Sequence, residues 1–220
     1  MEAYQMVKKV LLTGFDPFGG EQINPALEAV KRLNCKKTSN VKLVAYEIPT
    51  VFSKSIQHVI SAIEKEQPDV VICIGQAGGR TQITPERIAI NVDDARIPDN
   101  EQQQPIDEPI VQNGPTAYFS TLPIKKMVEA MRTAGIPAAV SNTAGTFVCN
   151  HLFYGLMHYL QFYSPHIRGG FIHIPYLPEQ TLNSSAPSLC LDHIVKGLEI
   201  AAITAANAEE DIKIIGGELH

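Results

Sequence analysis

Asp69-Val-Val-Ile-Cys-Ile74 is a continuous apolar run, and it opens directly into the glycine-rich turn Gly75-Gln-Ala-Gly78-Gly79-Arg80. A strand covered by helices on both faces has no solvated side on which polar residues could alternate, so the run reads as a central parallel strand. Apolar runs and helical patterns alternate on either side of it. Upstream, residues 7–12 read as a first strand, and Asn24-Pro25 as an N-cap with proline at N1 that opens a helix through about Leu33. Residues 41–48 alternate as a second strand. Ile56, Val59, Ile60 and Ile63 then form an i, i+3, i+4, i+7 face. Downstream, residues 87–92 give a strand signal, and Ile124, Met127, Val128 and Met131 a helical face. Residues 137–140 read as a short strand, residues 152–160 as a buried helix, residues 168–174 as a strand ending at Pro175, and residues from about Pro187 as a last helix. This alternation predicts an α/β fold: a three-layer α/β/α sandwich on a twisted, mostly parallel mixed sheet.

With 220 residues, 45% of them hydrophobic and 19% charged, the chain is read as one domain spanning residues 1–220. Residues 98–116 depart from the pattern. They hold Pro98, Pro105, Pro109 and Pro115, three successive glutamines and several acids, and are expected to be a polar surface excursion, a hairpin or lid. A net charge of -5 without a basic run argues against nucleic acid or an anionic membrane as partner. No apolar stretch has the length of a membrane span, and the stretch from Met1 to Lys9 lacks a signal-peptide core, so a cytoplasmic location is expected. Cys35, Cys73, Cys149 and Cys190 are widely spread, with no C-x-x-C pair. They are read as reduced thiols, and neither a metal nor another cofactor is expected. Cys190 is read as buried on the last helix, with a subunit contact as the alternative.

The segment Ser141-Asn-Thr-Ala-Gly-Thr-Phe-Val-Cys149-Asn-His151 follows an apolar strand and enters a helix. Thr146 as N-cap would put Cys149 at N3, where unpaired N–H groups and the helix dipole stabilise a thiolate and could hold an oxyanion. The expected consequence is a lowered thiol pKa. The competing reading is a small buried hydrophobe. A nucleophilic thiol needs a base, and seven histidines are available. His151 lies about 200° round the helix from Cys149 and should point away. His58, His158 and His193 lie within helical patterns, His166 in a Ser-Pro-His turn, and His220 at the C-terminus. His173 stands at the carboxyl end of a strand, where open α/β sheets place their sites, although a core histidine bonded to backbone is the alternative. Glu86 is the candidate to orient an imidazole, with Asp93 and Asp94 as rivals and an ion pair to Arg87 as the plain alternative. The turn Gly14-Phe-Asp-Pro-Phe-Gly19-Gly20-Glu21 lacks the Lys and Ser/Thr of a phosphate-binding loop. Its rings Phe15 and Phe18, together with Gln76, suit a small, flat, neutral ligand of amide character, unless the rings only cap the core.

Five blocks carry a family resemblance: Gly14-Phe-Asp-Pro-Phe-Gly19 with Asn24-Pro25, Gly75-Gln-Ala-Gly-Gly-Arg80, Pro85-Glu-Arg-Ile-Ala-Ile-Asn91, Thr143-Ala-Gly-Thr-Phe-Val-Cys149-Asn and Phe171-Ile-His-Ile-Pro175. In their order and nearly full-length coverage, these resemble the pyroglutamyl peptidase I (pyrrolidone-carboxylate peptidase) family. The resemblance implies an intracellular, metal-independent cysteine peptidase, commonly a homotetramer, that removes N-terminal pyroglutamate from peptides. It implies Cys149 as nucleophile, His173 as general base and then acid, and Glu86 as the group orienting His173. It also implies Phe15, Phe18, Phe147 and Val148 as lining of the lactam pocket, Gln76 as its hydrogen-bond partner, and Arg96 beside the active centre. A lactam has no ammonium group, so a neutral aromatic pocket suits it. The alternatives are a non-catalytic binding protein for a small cyclic amide and, more weakly, a thiol-redox enzyme.

Overall fold

The computed structural model describes residues 7–38 and 40–217. The first six residues of the N-terminal stretch and His220 lie outside the described residues. Among these residues the elements run β1 (Lys8–Phe15), α1 (Pro25–Leu33), β2 (Val41–Ile48), α2 (Lys54–Glu66), β3 (Val70–Gln76), β4 (Thr84–Pro85), β5 (Ile88–Ile90), β6 (Ala117–Phe119), α3 (Ile124–Thr133), α4 (Val148–Tyr163), β7 (Arg168–Ile174) and α5 (Leu191–Asn207). The main sheet has the order β2-β1-β3-β7-β4. Its first four strands are mutually parallel, and β4 pairs antiparallel with β7. The apolar run is central: β3 lies between β1 and β7, with its residues 70–75 buried.

Two cores, one on each face, follow from the two-residue period of the strands. Val10, Leu12, Val70, Ile72, Ile172 and Ile174 face a core shared with α1, α3 and α5. Leu11, Val71, Cys73 and Phe171 face the other core, shared with α2 and α4. The arrangement is the expected α/β fold, a mostly parallel mixed sheet with flanking helices. Asn24 caps α1 as its sequence predicts, accepting the Ala26 N–H at 3.0 Å with Pro25 in the first turn, a contact worth about 1 kcal/mol.

Four local expectations change. The segment at residues 137–141 runs parallel beside residues 83–87 but joins them only by isolated bridges, Ile83 with Ala138 and Glu86 with Ser141. The bonds Ile83 N–H to Pro137 O, Ala139 N–H to Ile83 O, Ser141 N–H to Pro85 O and Arg87 N–H to Ser141 O follow a parallel ladder. The rung missing between them is the one Pro85 would have to donate, and proline has no N–H. The strand signal at residues 87–92 shortens to β5, which pairs with β6 in a separate two-stranded sheet. The last helix begins at Leu191 instead of near Pro187, because Ser188 bridges Tyr176 and Leu189 N–H donates to Tyr176 O. Cys190 is exposed ahead of that helix, not buried on it.

Residues 98–116 contain no helix or named strand, and they are tied back to the fold at several points along their length. Asp99 is buried and accepts the N–H groups of Phe52, Glu101 and Gln103. Asp93 bridges Glu108 in hairpin fashion.

Candidate active site

The strand period and register bring the chemistry to the carboxyl ends of the inner strands. His173 follows Phe171 by two residues, so it lies on the α4 face of β7, and its register partner on β3 is Gly75. Cys149, in the first turn of α4, lies directly over that glycine. A β-carbon built on Gly75 would come within 2.9 Å of Cys149 Sγ and 2.8 Å of the Phe171 ring. Cys149 and His173 thus reach the same spot from a helix start and a strand end, and both line one cavity of about 640 Å³.

Glu86 enters from the residue after β4. Its backbone is fixed on both sides, by its N–H to Phe171 O and by the bridge to Ser141. Its carboxylate is fully buried, with Oε1 2.7 Å from Nδ1 of His173. The rivals are placed elsewhere. Asp93 pairs with His151, and Asp94 lies on the cavity wall, exchanging backbone and hydroxyl bonds with Thr146. Arg87 does not pair with Glu86 either, since its guanidinium goes to Asn142 and Gly216 O.

The cation on Glu86 is Arg80, the last residue of the Gly75–Arg80 motif, to which the sequence alone assigns no role. Arg80 Nη1 donates to Glu86 Oε1 at 2.7 Å and also to Thr84, while Nη2 donates to Thr143 O at 3.0 Å. The signal available in the sequence was its position at the end of a turn with two glycines. Gly79 has φ +87°, and a side chain on Gly78 would collide with the Tyr176 ring. Asn150 is a second residue left without a role: fully buried, it accepts from Ile90 N–H and donates to Ile90 O and Val92 O, pinning α4 to β5.

The expected N-cap moves by one residue. Phe147 is the N-cap of α4 and Cys149 sits at N2, because the Thr146 hydroxyl is spent on Asp94 O at 2.8 Å. The first bond inside the helix is His151 N–H to Phe147 O, so the N–H groups of Val148, Cys149 and Asn150 belong to the unpaired first turn. The electrostatics reverse the expected lowering of the thiol pKa. Burial, with a smaller push from the Glu86 charge, raises Cys149 to about 12, and Arg80 opposes that rise. Burial also holds His173 below its ordinary value, against the pull of Glu86. At rest the pair is therefore a neutral thiol and a neutral imidazole, and Glu86 on Nδ1 leaves Nε2 as the ring's acceptor.

Of the pocket residues expected from the sequence, Phe18, Gln76, Arg96 and Phe147 line the cavity. Phe18 and Phe147 present rings 6.1 Å apart, and Phe52 meets Phe147 edge-on at 5.5 Å. Gln76 Oε1 accepts from Gln180 at 2.9 Å, which leaves its NH2 group as a donor. Phe15 and Val148 are placed behind this wall: Phe15 packs on Phe171 with its rings 6.3 Å away, and Val148 is fully buried in the core. Both side chains face the core that the sheet shares with α2 and α4, which the linear motif does not show. Among the described residues, no group of three or more His, Cys, Asp and Glu side chains is arranged to hold a metal, and no helix is long and apolar enough to cross a membrane.

Known proteins resemble this chain over nearly its whole length. The family model described as pyroglutamyl peptidase matches residues 8–208. The pyrrolidone-carboxylate peptidase of Bacillus amyloliquefaciens is 65% identical over 98% of this chain and 100% of its own length. That of Bacillus subtilis is 62% identical over the same shares. Among solved structures, pyroglutamyl peptidase I from Bacillus amyloliquefaciens superposes with a TM-score of 0.95 at 64% identity, covering 96% of this chain and 100% of that one. Pyrrolidone carboxyl peptidase from Thermococcus litoralis does so with a TM-score of 0.90 at 37% identity, covering 95% and 100%.

Proposed function

This chain belongs to the pyroglutamyl peptidase family of cysteine peptidases and removes N-terminal pyroglutamate from peptides; from that premise we propose that Cys149, His173 and Glu86 carry out the reaction. The observation that supports the assignment best is the bond of buried Glu86 to Nδ1 of His173 in the cavity that also holds Cys149. As Cys149 Sγ attacks the pyroglutamyl carbonyl carbon, His173 Nε2 takes the thiol proton and Glu86 stabilises the imidazolium that forms. First-turn N–H groups of α4 face the developing oxyanion. The C–N bond then breaks, His173 returns the proton to the leaving amine, and a water molecule activated by the same nitrogen hydrolyses the thioester.

In this reading the lactam ring lies against the rings of Phe18 and Phe147, with the Gln76 NH2 group donating to its carbonyl. Phe15 and Val148 back this wall, and Arg96 stands at its mouth. The cavity extends well beyond a five-membered ring, which leaves room for the residues that follow pyroglutamate. A substrate lacking the ring carbonyl would leave the Gln76 donor unpaired, a loss that discriminates more strongly than ring size alone.

The whole chain folds as one domain in this reading, so denaturant unfolding should give a single transition. A catalytic thiol without a disulfide partner suits the reducing cytoplasm, which fractionation of the native host tests. Exposed Phe119, Phe162 and Tyr163 favour self-association, and a homotetramer is the expected state in light scattering. The decisive assay is release of a reporter amine from a pyroglutamyl amide by wild type and Cys149→Ala side by side. Retained activity in Cys149→Ala ends the assignment.

A further inference from the structure

Glu86 presents an electrostatic problem that its bond to His173 does not solve. The carboxylate is fully buried, and both of its hydrogen bonds converge on Oε1, at 2.7 Å from His173 Nδ1 and 2.7 Å from Arg80 Nη1. Its other oxygen, Oε2, has no hydrogen-bond partner among the described residues. A buried carboxylate needs a counter-charge. With His173 alone beside it, the available response is to keep the imidazole protonated, and an imidazolium cannot accept the thiol proton.

We propose that Arg80 is the resting counter-ion of Glu86 and a positioning residue for catalysis, leaving His173 neutral to serve as base while bracing the carboxylate against the loop that carries Cys149. The proposal rests on the catalytic reading above. Its geometry is a three-way splint: one guanidinium spans Glu86, Thr84 at the strand edge, and the carbonyl of Thr143 six residues ahead of the nucleophile. The two-glycine turn folds Arg80 back over β4, and its side chain stays only 24% exposed. The charge acts on both reacting groups in the required direction, since Arg80 lowers the pKa of His173 and also opposes the rise at Cys149. The other titratable groups around His173 are Cys149 above it, Cys73 on the neighbouring strand, and Asp94, Arg96, Glu21 and Tyr176 along the cavity. The hydrogen bonds to the Glu86 carboxylate come from Arg80 and His173.

The test compares wild type, Arg80→Gln and Arg80→Lys in kcat and KM from pH 5 to 9 on a pyroglutamyl amide, with iodoacetamide labelling of Cys149 followed by intact mass over the same range. In Arg80→Gln the acid limb of kcat/KM should move up by about one pH unit, a tenfold loss on that limb, with KM changed less than about twofold. Labelling at pH 8 should slow severalfold. Arg80→Lys, which keeps the charge, should hold its limb near wild type. Superimposable pH profiles for wild type and Arg80→Gln would overturn the proposal, as would a rise in KM with no movement of the limb. A measurement on wild type alone covers the case in which Arg80→Gln does not fold: imidazole nitrogen shifts at pH 7 should report His173 as neutral with the proton on Nδ1, and an imidazolium there sinks the idea. Labelling and the nitrogen shifts need no turnover, so a wild-type protein inactive on the amide would count against the catalytic reading and leave the counter-ion test standing.

Discussion

Two histidine–carboxylate pairs lie near the start of the helix that carries the nucleophile, and on the carboxylate side they are nearly alike. His173 meets Glu86 and His151 meets Asp93, each through Nδ1 at 2.7 Å, and each carboxylate keeps one buried oxygen without a hydrogen-bond partner among the described residues. They differ at the second ring nitrogen. His151 Nε2 accepts the N–H of Ser53 at 2.8 Å, holding a tight turn in which Ser53 has φ 61° and Lys54 N–H reaches back to Phe52 O. Phe52 in turn packs edge-on against both His151 and the cavity residue Phe147. The second nitrogen of His173 belongs to a ring that lines the cavity beside Cys149. A carboxylate on Nδ1 sets the tautomer in both cases. What the other nitrogen meets decides whether the pair does chemistry or holds a wall.

Experiments that try to erase this distinction should fail in a graded way. The largest effect lies with the thiol that only His173 serves: Cys149→Ala should lower kcat at least about 10⁴-fold with its melting temperature retained. Next, Glu86→Gln should cost about 10³-fold in kcat, because an amide on Nδ1 no longer fixes the productive tautomer or stabilises the imidazolium. Asp93→Asn, the matched change in the other pair, should leave kcat within about threefold while lowering stability by about 1–3 kcal/mol in urea titrations. Equal kcat losses in the two variants would dissolve the comparison. A smaller effect is expected for His151→Phe, which removes the acceptor for Ser53 N–H: KM should rise about threefold through Phe52 and Phe147, with kcat nearly unchanged.

The finest test uses stability against pH. His173 is held below its ordinary 6.5, so it binds protons less readily folded than unfolded. Its contribution is therefore present above about 6.5 and is lost as pH falls through its folded value. Cys149 is raised from 9.0 to about 12, so it keeps its proton longer in the fold, and its contribution is complete below 9.0 and lost as pH rises toward 12. Urea midpoints at pH 8 and 10.5 should accordingly fall less in Cys149→Ala than in wild type. A fall remains in both, because Cys73 is raised to about 12 in the same way.

Much of this was legible where one physical rule acts alone. An unbroken apolar run can hardly be other than a central strand, and Asn24-Pro25 states a helix start in two residues. The same holds for His173, whose strand-end position follows from a run ending at Pro175. Rules that compete for one group were not legible. Thr146 has the composition of an N-cap, yet its hydroxyl is engaged by a carbonyl 52 residues away in sequence. The thiol sits where the helix start favours a charge, and burial beside Glu86 outweighs it. Phe15 and Val148 carry the motif's residue types, but their inward faces are set by packing. Arg80 required the fold itself, since Thr143 O lies 63 residues from it.

Gly75 contributes to this site through the methyl group it lacks. A side chain there would overlap both the sulfur of Cys149 and the ring of Phe171, so neither could remain where it is. Position 75 cannot change by itself: any larger residue requires the nucleophile and an aromatic ring of the core to withdraw together. Variation at this strand end is thereby tied to variation in a helix and in a neighbouring strand. A scan that replaces side chains with alanine would probe Cys149, His173 and Glu86 by subtraction, but would probe this position by adding an atom that closes the nucleophile's seat.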